Sequence, residues 1–543
     1  MSQLQQVHDL EIYEDFINRE IFAGRPLYEY ISEVQRIYLA DKRPWVVGYS
    51  GGKDSSAVVT LIYLALLGLS PEMREKPVFV VCSDTLVETP VVVDLISRTM
   101  VQIEQGAKRD HLPITVQQVI PKMHETFWVN LLGKGYPAPT RQFRWCTERM
   151  KINPVSDFIR DKVSQFDEVI VVLGSRSSES SSRAQVIAKH KIDGTRLARH
   201  TTLANAFIYT PIDTWGVDDV WKLLRGAFRY SPTDIEEWEN PWGGNNRPLW
   251  TLYMDSSGQG ECPMVIDDST PSCGNSRFGC WTCTVVTKDR AMESLVKNGE
   301  EWMTPLLSFR NMLSNTTDPA QKNKYRNFKR RSGKVSYQYA KDGEDIAAER
   351  KHVPGPYWLR YRKEWLEQLL ELEKTLNTQG HEIKLITEDE LHAIRQEWIK
   401  DPNEPDWEDS LPQIYERIYG KGLDWQLDER IRFAGADAGL LHEIAQKHGI
   451  VPAMVMKLIE LEISFEGMGR RQNVQKKIGS ILKQDWGSFD EIQNKYSSIQ
   501  KKNQYDVQAI ETAKIEESLS DLDSDLEKLE RVLNGMANHE VKE

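Results

Sequence analysis

The chain has 543 residues, a formal net charge of −12 and 40% hydrophobic residues. At usual domain sizes this length predicts about two to four globular domains. The acidic balance argues against a protein that coats nucleic acid nonspecifically, because phosphate binding needs clustered cations, but it does not exclude a local basic patch.

Neither a membrane span nor a secretory signal is predicted. The longest apolar run, residues 57–69, is shorter than the roughly 20 residues that a spanning helix needs. It directly follows Lys53 and Asp54, so we predict a buried helix. The polar N-terminal residues lack the basic and then apolar order of a signal peptide. We therefore expect a cytoplasmic protein that does not bind membranes.

The first half of the chain alternates short β-branched runs with helical segments. A helical segment is followed by predicted strands at 45–49, 78–82, 114–120 and 168–173, with a helix around 91–105. This alternation predicts an α/β fold in which a parallel sheet is flanked by crossover helices. In such sheets ligands bind at the carboxyl ends of the strands.

A glycine turn lies between the first strand and its helix. Two consecutive glycines let the backbone approach an anion without a Cβ clash, and the helix start directs N–H groups to the same place. The spacing is not that of a Walker loop. The sequence therefore predicts a phosphate site, the alternative being an ordinary strand–turn–helix connection. Its residues are Ser50, Gly51, Gly52, Lys53, Asp54 and Ser55.

This S-G-G-x-D-S segment resembles the PP-loop of ATP pyrophosphatases. The resemblance implies that the loop holds the leaving pyrophosphate of ATP while the α-phosphate is attacked. The second strand ends in Ser83, Asp84 and Thr85, at the edge where the family places an adenosine. A turn or helix cap is an equally weighted alternative for Asp84.

Four segments resemble, in the same order, the motifs of the phosphoadenosine-phosphosulfate reductase family. They lie at 83–89, 144–154, 174–184 and 211–221. In the first of them Leu86 takes the place of a family glycine. The resemblance extends over roughly residues 40–225 and implies the adenine nucleotide α-hydrolase-like fold of that family.

The resemblance assigns further residues to the nucleotide. Guanidinium groups suit bidentate phosphate contacts, and a departing pyrophosphate needs charge stabilisation, in which Mg²⁺ is expected to share. Taken singly, each arginine has a solvated surface charge as its alternative. The residues are Arg144, Lys151, Gly174, Arg176, Glu179 and Arg183, of which Arg176 and Arg183 join Lys53 and Asp54 as predicted catalytic residues.

The chain departs from the reductases in its cysteines. Reductases of this family use a redox cysteine in a C-terminal E-C-G-x-H segment, whereas here no cysteine follows Cys283. The iron–sulfur enzymes that reduce adenylyl sulfate have a Cys-Cys pair where this chain has Cys146 and Thr147. The sequence therefore predicts the nucleotide fold and argues against the reductase chemistry, which stays an alternative.

Four cysteines crowd into one loop-rich stretch, with the spacing C-x10-C-x6-C-x2-C. Such thiolates suit a [4Fe–4S] cluster or tetrahedral zinc. The uneven spacing and the family context favour iron–sulfur, with zinc and unligated thiols as alternatives. The predicted ligands are Cys262, Cys273, Cys280 and Cys283.

Cys146 stands apart from this cluster. We predict a catalytic thiol that carries a persulfide, with a cluster ligand or a buried apolar cysteine as alternatives. Its basic neighbours Arg144, Arg149 and Lys151 favour a thiolate.

Three segments of the second half suggest binding surfaces. Residues 322–334 carry seven cations interleaved with aromatic residues, which predicts either a nucleic-acid contact or a solvated loop. Residues 444–458 fit helix-turn-helix spacing, although a packed helical hairpin is favoured because base-reading side chains are missing. Leucines at 519–533 predict an amphipathic helix.

The combination resembles the bacterial DNA phosphorothioation sulfurtransferases of the DndC family. That family adenylates a backbone phosphate oxygen of DNA, and sulfur from a cysteine desulfurase then displaces AMP. The implied partners are DNA, the desulfurase and the other phosphorothioation proteins. The alternatives are a phosphoadenosine-phosphosulfate or adenylyl-sulfate reductase, a tRNA thiolase and an ATP-sensing scaffold.

Four regions follow from this interpretation. We predict a helical segment, the PP-loop domain, the cysteine-rich segment and a mainly helical region that binds DNA or a partner. Their ranges are 1–40, 41–235, 236–295 and 296–543.

Overall fold

The computed structural model describes most of the chain in separate ranges. These are residues 21–177, 192, 195–226, 238–255, 279–338, 352–401, 403–406, 408–423, 425, 435–465, 473–496 and 498. The chain divides into two compact units. The first comprises residues 1–325, 357–401 and 408–428, and the second comprises 326–356, 402–407 and 429–543.

A short hairpin precedes a six-stranded sheet in the first unit. The strands in chain order are β1 (Ile21–Phe22), β2 (Arg25–Pro26), β3 (Trp45–Tyr49), β4 (Val78–Ser83), β5 (Ile114–Val119), β6 (Val169–Val172), β7 (Leu197–Arg199) and β8 (Ala206–Tyr209). The sheet order is β5-β4-β3-β6-β8-β7, and only β7 runs antiparallel to its neighbour. The predicted α/β fold with a mostly parallel sheet is confirmed.

The central strand β3 is buried on both faces. Trp45, Val47 and Tyr49 belong to one apolar core, whereas Val46 belongs to the core on the other face. This alternation follows from the two-residue period of a strand. Helices cover both faces of a parallel sheet, so its strands consist of nearly continuous apolar residues.

Twelve α-helices are described in the first unit. They are α1 (Leu27–Leu39), α2 (Lys53–Leu67), α3 (Pro90–Arg109), α4 (Asn153–Phe166), α5 (Val217–Arg225), α6 (Arg247–Asp255), α7 (Arg290–Lys297), α8 (Thr304–Asn315), α9 (Lys322–Tyr325), α10 (Leu359–Thr378), α11 (Glu388–Ile399) and α12 (Ser410–Tyr419). The apolar run predicted as a buried helix forms most of α2. None of the helices in the described ranges is long and apolar enough to cross a membrane.

A second apolar core joins the later helices to the connection between β5 and α4. Trp128 Nε1 donates to the Leu385 carbonyl and Trp398 Nε1 to the Leu132 carbonyl, each at 2.7 Å. The fully buried Arg362 donates to the Gly133 carbonyl, also at 2.7 Å. Helices from the second half of the chain therefore complete the unit that holds the sheet. The predicted boundaries at 40, 235 and 295 stay predictions.

The described part of the second unit includes a small hairpin and three helices. They are β9 (Ser336–Tyr337), β10 (His352–Val353), α13 (Gly435–Lys447), α14 (Pro452–Ser464) and α15 (Val474–Leu482). Gly449 has a φ of 66°, and the Ile450 N–H donates to the Ala445 carbonyl at 2.9 Å. This turn joins α13 to α14, and the choice between a packed hairpin and a helix-turn-helix motif stays a prediction. The predicted helix at 519–533 lies outside the described residues.

Several cationic side chains of the predicted basic run form contacts within the protein. Within the second unit, Arg326 Nε donates to the Gly355 carbonyl at 2.7 Å and Arg330 Nη1 to the Pro354 carbonyl at 3.2 Å. Lys329 Nζ lies 5.5 Å from the centre of the Trp486 ring. These three side chains stabilise a local fold, and a nucleic-acid contact by the run stays a prediction.

Candidate nucleotide site

The predicted phosphate loop, called the phosphate loop below, connects β3 to α2. Gly51 has a φ of 71°, and a Cβ atom there would lie 2.3 Å from Ile96 Cγ1. Two serines brace the turn: the Ser50 N–H donates to Ser55 Oγ at 3.2 Å, and Ser55 Oγ donates to the Gly52 carbonyl at 2.9 Å. The glycine at position 51 is therefore required both by its dihedral angle and by the close approach of α3.

Lys53, Asp54 and Arg176 form a buried ionic group at this loop. Lys53 Nζ lies 2.8 Å from Asp54 Oδ2, and Arg176 Nε lies 2.6 Å from Asp54 Oδ1. Lys53 is 1% exposed and Arg176 is 2% exposed. The structure thus brings together three of the five predicted catalytic residues. Cations placed this way are suited to a polyphosphate.

Gly174 brings the loop after β6 against the start of α2. A Cβ atom on Gly174 would lie 2.9 Å from the Asp54 carbonyl oxygen and 3.1 Å from the Ser55 nitrogen. Because β3 and β6 are neighbours in the sheet, their carboxyl ends meet here. The predicted site residues Glu179 and Arg183 lie outside the described residues.

The carboxyl end of β4 forms a turn around Asp84. Asp84 Oδ1 accepts the Leu86 N–H at 2.7 Å, and Oδ2 accepts Gln118 Nε2 at 3.0 Å. Burial raises the pKa of Asp84. The side chain therefore caps its own turn, as the alternative prediction has it. Beside it, Ser83 Oγ donates to the Met150 carbonyl at 3.1 Å.

Leu86 has a φ of 63°, in the left-handed region that favours glycine. The family motif has a glycine at this position, and the dihedral angle gives the physical reason. The leucine occupies the same backbone conformation at a steric cost.

The end of the cysteine-rich segment pairs with the residues after β4. The Trp281 N–H donates to the Val87 carbonyl at 2.9 Å, and Thr89 Oγ1 donates to the Gly279 carbonyl at 2.9 Å. An antiparallel bridge joins Glu88 to Cys280. These bonds fix Cys280 at the edge of the sheet where the nucleotide is predicted to bind.

Three side chains, those of Thr85, Glu88 and Lys151, lie around the thiol of Cys280. Thr85 Oγ1 lies 3.3 Å from Cys280 Sγ and donates to Glu88 Oε1 at 2.9 Å. Lys151 Nζ lies 3.8 Å from the same Glu88 oxygen. Burial raises the pKa of the Cys280 thiol well above its usual range, and the Glu88 charge adds to this effect. Sequence reasoning assigned no role to Glu88, although its motif contains that glutamate.

The described part of the predicted cluster site is a turn with two thiols. The Cys283 N–H donates to the Cys280 carbonyl at 3.0 Å, so the C-x2-C pair lies on one tight turn. Cys262 and Cys273 lie outside the described residues. Among the residues that are described, no group of three or more His, Cys, Asp or Glu side chains is placed to hold a metal ion. The turn fits half of a four-cysteine site, and the cluster stays a prediction.

Arg310 on α8 forms hydrogen bonds with the backbone of this turn and of the residues that follow it. Its Nε donates to the Cys283 carbonyl at 2.7 Å and its Nη1 to the Thr287 carbonyl at 3.0 Å, and its Nη2 donates to the Val286 carbonyl. The side chain is fully buried. No spacing or motif in the sequence singled out this arginine, because its partners are backbone groups of a distant segment.

The predicted Arg144–Cys146 segment packs against the second apolar core, which the later helices also form. Trp145 Nε1 donates to the Pro137 carbonyl at 2.9 Å, and Cys146 contacts the core that Cys280 also contacts. Arg144 Nε and Nη1 are buried and have no hydrogen-bond partner within the described ranges. Buried donors of this kind are costly unless a ligand accepts from them. A persulfide on Cys146 stays a prediction.

Tyr253 on α6 contacts the phosphate loop. Its hydroxyl oxygen accepts the Lys53 N–H at 3.3 Å, and Lys53 Nζ lies 5.4 Å from the centre of its ring. The chain positions are 200 residues apart, and nothing in the sequence connects them.

Comparisons with known proteins match the sheet-containing part of the chain. Residues 44–230 match the family model of the phosphoadenosine phosphosulfate reductase domain. The uncharacterized protein MJ0066 of Methanocaldococcus jannaschii is 32% identical over 202 residues, which is 37% of this chain. The chain spans only about a third of that relative, since the match covers 35% of its length.

Solved structures were also matched. The phosphoadenylyl-sulfate reductase of Candida auris, a phosphate complex, is 14% identical, with 44% of this chain and 96% of that chain covered at a TM-score of 0.25. The FMN adenylyltransferase of Candida glabrata with FAD and inorganic pyrophosphate is 12% identical, with 43% and 71% covered at a TM-score of 0.24. The family likeness is therefore confined to residues 44–230, which are similar to a phosphoadenosine phosphosulfate reductase domain.

Proposed function

We propose that this protein is a DNA phosphorothioation sulfurtransferase. It adenylates a backbone phosphate oxygen with ATP and releases pyrophosphate, after which sulfur replaces the activated oxygen. The observation that carries the proposal is the position of Cys280, 3.3 Å from Thr85 at the carboxyl end of β4. A thiol thus adjoins the predicted nucleotide edge.

The phosphate loop serves the first step. An oxygen of the acceptor phosphate attacks the α-phosphorus of ATP, the bond to the β-phosphate breaks, and pyrophosphate leaves. Lys53, Arg176 and the N–H groups at the start of α2 stabilise the charge on the leaving group. Arg144 supplies two further buried donors for an anionic oxygen.

A protein persulfide serves the second step. Its terminal sulfur attacks the activated phosphorus, and the bond to the AMP oxygen breaks. A second thiol then cleaves the S–S bond, which leaves the phosphorothioate and a protein disulfide. Cys146 is the proposed persulfide carrier. A cysteine desulfurase supplies the sulfur, and the other phosphorothioation proteins present the DNA.

The proposed cofactors are Mg²⁺ and an iron–sulfur cluster. Both carboxylate oxygens of Asp54 already contact cationic side chains. We therefore propose that Mg²⁺ enters the site coordinated by the phosphates of ATP. Cys262, Cys273, Cys280 and Cys283 would hold a [4Fe–4S] cluster, with zinc as the alternative. When bound, a cluster supplies iron-coordinated thiolates and an electron reservoir.

The test follows the fate of ATP and of sulfur separately. ATP labelled at the α-phosphate is incubated with the protein, Mg²⁺, duplex DNA, a cysteine desulfurase and cysteine, and digested DNA is analysed by mass spectrometry. We expect AMP and pyrophosphate, and phosphorothioate linkages in the DNA. A Lys53→Met variant loses both products, whereas Lys122→Met, which changes an exposed ion pair with Asp157, keeps them.

Other products would contradict the proposal. Thiol-dependent sulfite release from phosphoadenosine phosphosulfate or adenylyl sulfate would identify a reductase. Thionucleosides in tRNA would identify a tRNA thiolase. Formation of ADP and orthophosphate would remove the pyrophosphatase chemistry altogether.

A further inference from the structure

Tyr253 lies over the start of helix α2. The side chain is 7% exposed, and its hydroxyl oxygen lies 3.3 Å from the backbone nitrogen of Lys53. A Cβ atom on Gly52 would lie 3.2 Å from the same oxygen. The phenol oxygen therefore contacts the glycine turn and the first N–H of the helix together.

The first N–H groups of a helix have no acceptor inside the helix and attract anions. In a phosphate loop, this is where an oxygen of the ligand accepts. We infer that the Tyr253 hydroxyl occupies the position of a phosphate oxygen, and that polyphosphate binding requires this tyrosine to move away. The inference rests on the proposed function, because it assumes that the loop binds polyphosphate.

The exchange of acceptors is favourable on physical grounds. The tyrosine oxygen is a neutral acceptor, and 3.3 Å is long for a hydrogen bond from an N–H group. A phosphate oxygen is charged, and charge-assisted hydrogen bonds are shorter and stronger. The tyrosine oxygen is thus a weaker acceptor for this N–H than a phosphate oxygen, and it competes with the ligand only weakly.

The exchange also links the loop to α6. The Tyr253 ring packs on Trp221 of α5, with the ring centres 5.3 Å apart. Departure of Tyr253 therefore loosens the packing of α6 on α5 and on the phosphate loop. Tyr253 acts as a ligand-sensitive contact between the phosphate loop and α6.

The test uses Tyr253→Phe, which keeps the ring and removes the oxygen. Calorimetry measures the Kd of inorganic pyrophosphate and of an ATP analogue with a methylene bridge between the α- and β-phosphates. We expect about five-fold tighter binding, the equivalent of one hydrogen bond worth about 1 kcal/mol. The control is Tyr38→Phe, which removes a buried hydroxyl bonded to the Lys76 carbonyl, and we expect it to leave the Kd unchanged.

Hydrogen exchange gives a second measurement on the full chain. Ligand should speed exchange of the α6 amides in the unaltered protein, whereas in Tyr253→Phe their exchange is already fast without ligand. Equal or weaker binding by Tyr253→Phe would overturn the inference, because the hydroxyl then either does not compete or itself binds phosphate. A ligand that leaves α6 exchange unchanged in the unaltered protein would also overturn it.

Binding by the unaltered protein separates failure of the proposed function from failure of the inference. If the unaltered protein binds neither pyrophosphate nor the ATP analogue, the proposed function fails and the inference fails with it. If the unaltered protein binds them and Tyr253→Phe shows no tighter binding, only the inference fails.

Discussion

Thr85 Oγ1 lies 3.3 Å from the Sγ atom of Cys280, although 195 residues separate the two in the chain. Thr85 belongs to the predicted nucleotide edge and Cys280 to the predicted cysteine cluster. The contact makes these two features parts of one site, because the bridge between Glu88 and Cys280 fixes the backbone of the later segment there.

Replacement of Cys280 tests whether this proposed cluster ligand is required for sulfur transfer. We expect Cys280→Ala to abolish sulfur incorporation into DNA and to lower the iron content, while ATP binding persists because Lys53 and Arg176 are unchanged. The control is Cys82→Ala in the core strand β4, where burial raises the thiol pKa to about 12. Full sulfur incorporation by Cys280→Ala would contradict the proposed role of this thiol.

Asp54→Asn is expected to lower the free energy of unfolding by about 3 kcal/mol, because breaking a buried ion pair leaves uncompensated charge. Urea denaturation measures the change. The control is Asp94→Asn, whose exposed pair with Arg98 contributes about 0.5 kcal/mol or less. Pyrophosphate should recover part of the loss in Asp54→Asn, because its charge compensates Lys53 and Arg176. Equal destabilisation by the two variants would show that the Asp54 group is not a buried ionic centre.

The sheet and the phosphate loop were predictable because their signals are local. Strand β3 was predicted at its observed bounds, 45–49, since a fully buried parallel strand is a short apolar run between polar turns. The loop is likewise one consecutive stretch, from Ser50 to Ser55, so its residue types alone indicate phosphate binding.

The parts that the sequence did not reveal depend on contacts between distant segments. Tyr253 reaches the Lys53 N–H through a single hydroxyl, and Arg310 binds backbone carbonyls, which are the same for every residue type. Neither interaction produces a periodicity or a motif in the amino-acid sequence. Leu86 was noted only as a departure from the family, and its left-handed backbone becomes visible only in the structure.

The backbone at Leu86 gives a third prediction. Glycine adopts a φ of 63° without strain, whereas a β-branched side chain clashes in this region. We expect Leu86→Gly to be more stable than Leu86→Val by about 1–2 kcal/mol, measured by denaturant titration of both variants. If the valine variant is as stable as the glycine variant, the turn after β4 does not hold this conformation in solution.

Arg310→Met removes three donors from the turn that holds Cys283. The carbonyls lose their buried partner, so we expect the free energy of unfolding to fall by about 3 kcal/mol and the segment 283–287 to exchange its amides faster. Iron content should fall as well, because the C-x2-C turn is no longer fixed. The control Arg417→Met breaks only an exposed pair with Glu367. It should leave the free energy of unfolding, the amide exchange of 283–287 and the iron content unchanged. Normal iron retention by a folded Arg310→Met protein would show that the arginine does not position the thiols.

Arg144 and Arg149 belong to the same motif segment, and their replacement by methionine should affect the melting temperature differently. Arg149 stacks on Tyr136 and donates to Asn130, so Arg149→Met removes contacts that the folded chain already makes, and we expect a lower melting temperature. Arg144 Nε and Nη1 are buried without a partner in the described ranges. Removing such donors relieves a cost of about 1–3 kcal/mol, so we expect Arg144→Met to keep or raise the melting temperature.

Ligand binding should show the reverse order for these two arginines. Arg144→Met is expected to weaken pyrophosphate or ATP binding by about ten-fold or more, since a charge-assisted hydrogen bond contributes about 1.5–3 kcal/mol. Arg149→Met should leave the Kd nearly unchanged at temperatures where it is folded. Calorimetry and thermal unfolding on the same samples separate the two effects. If Arg144→Met is destabilised and binds polyphosphate normally, Arg144 is a structural residue and the phosphate site ends at Lys53 and Arg176.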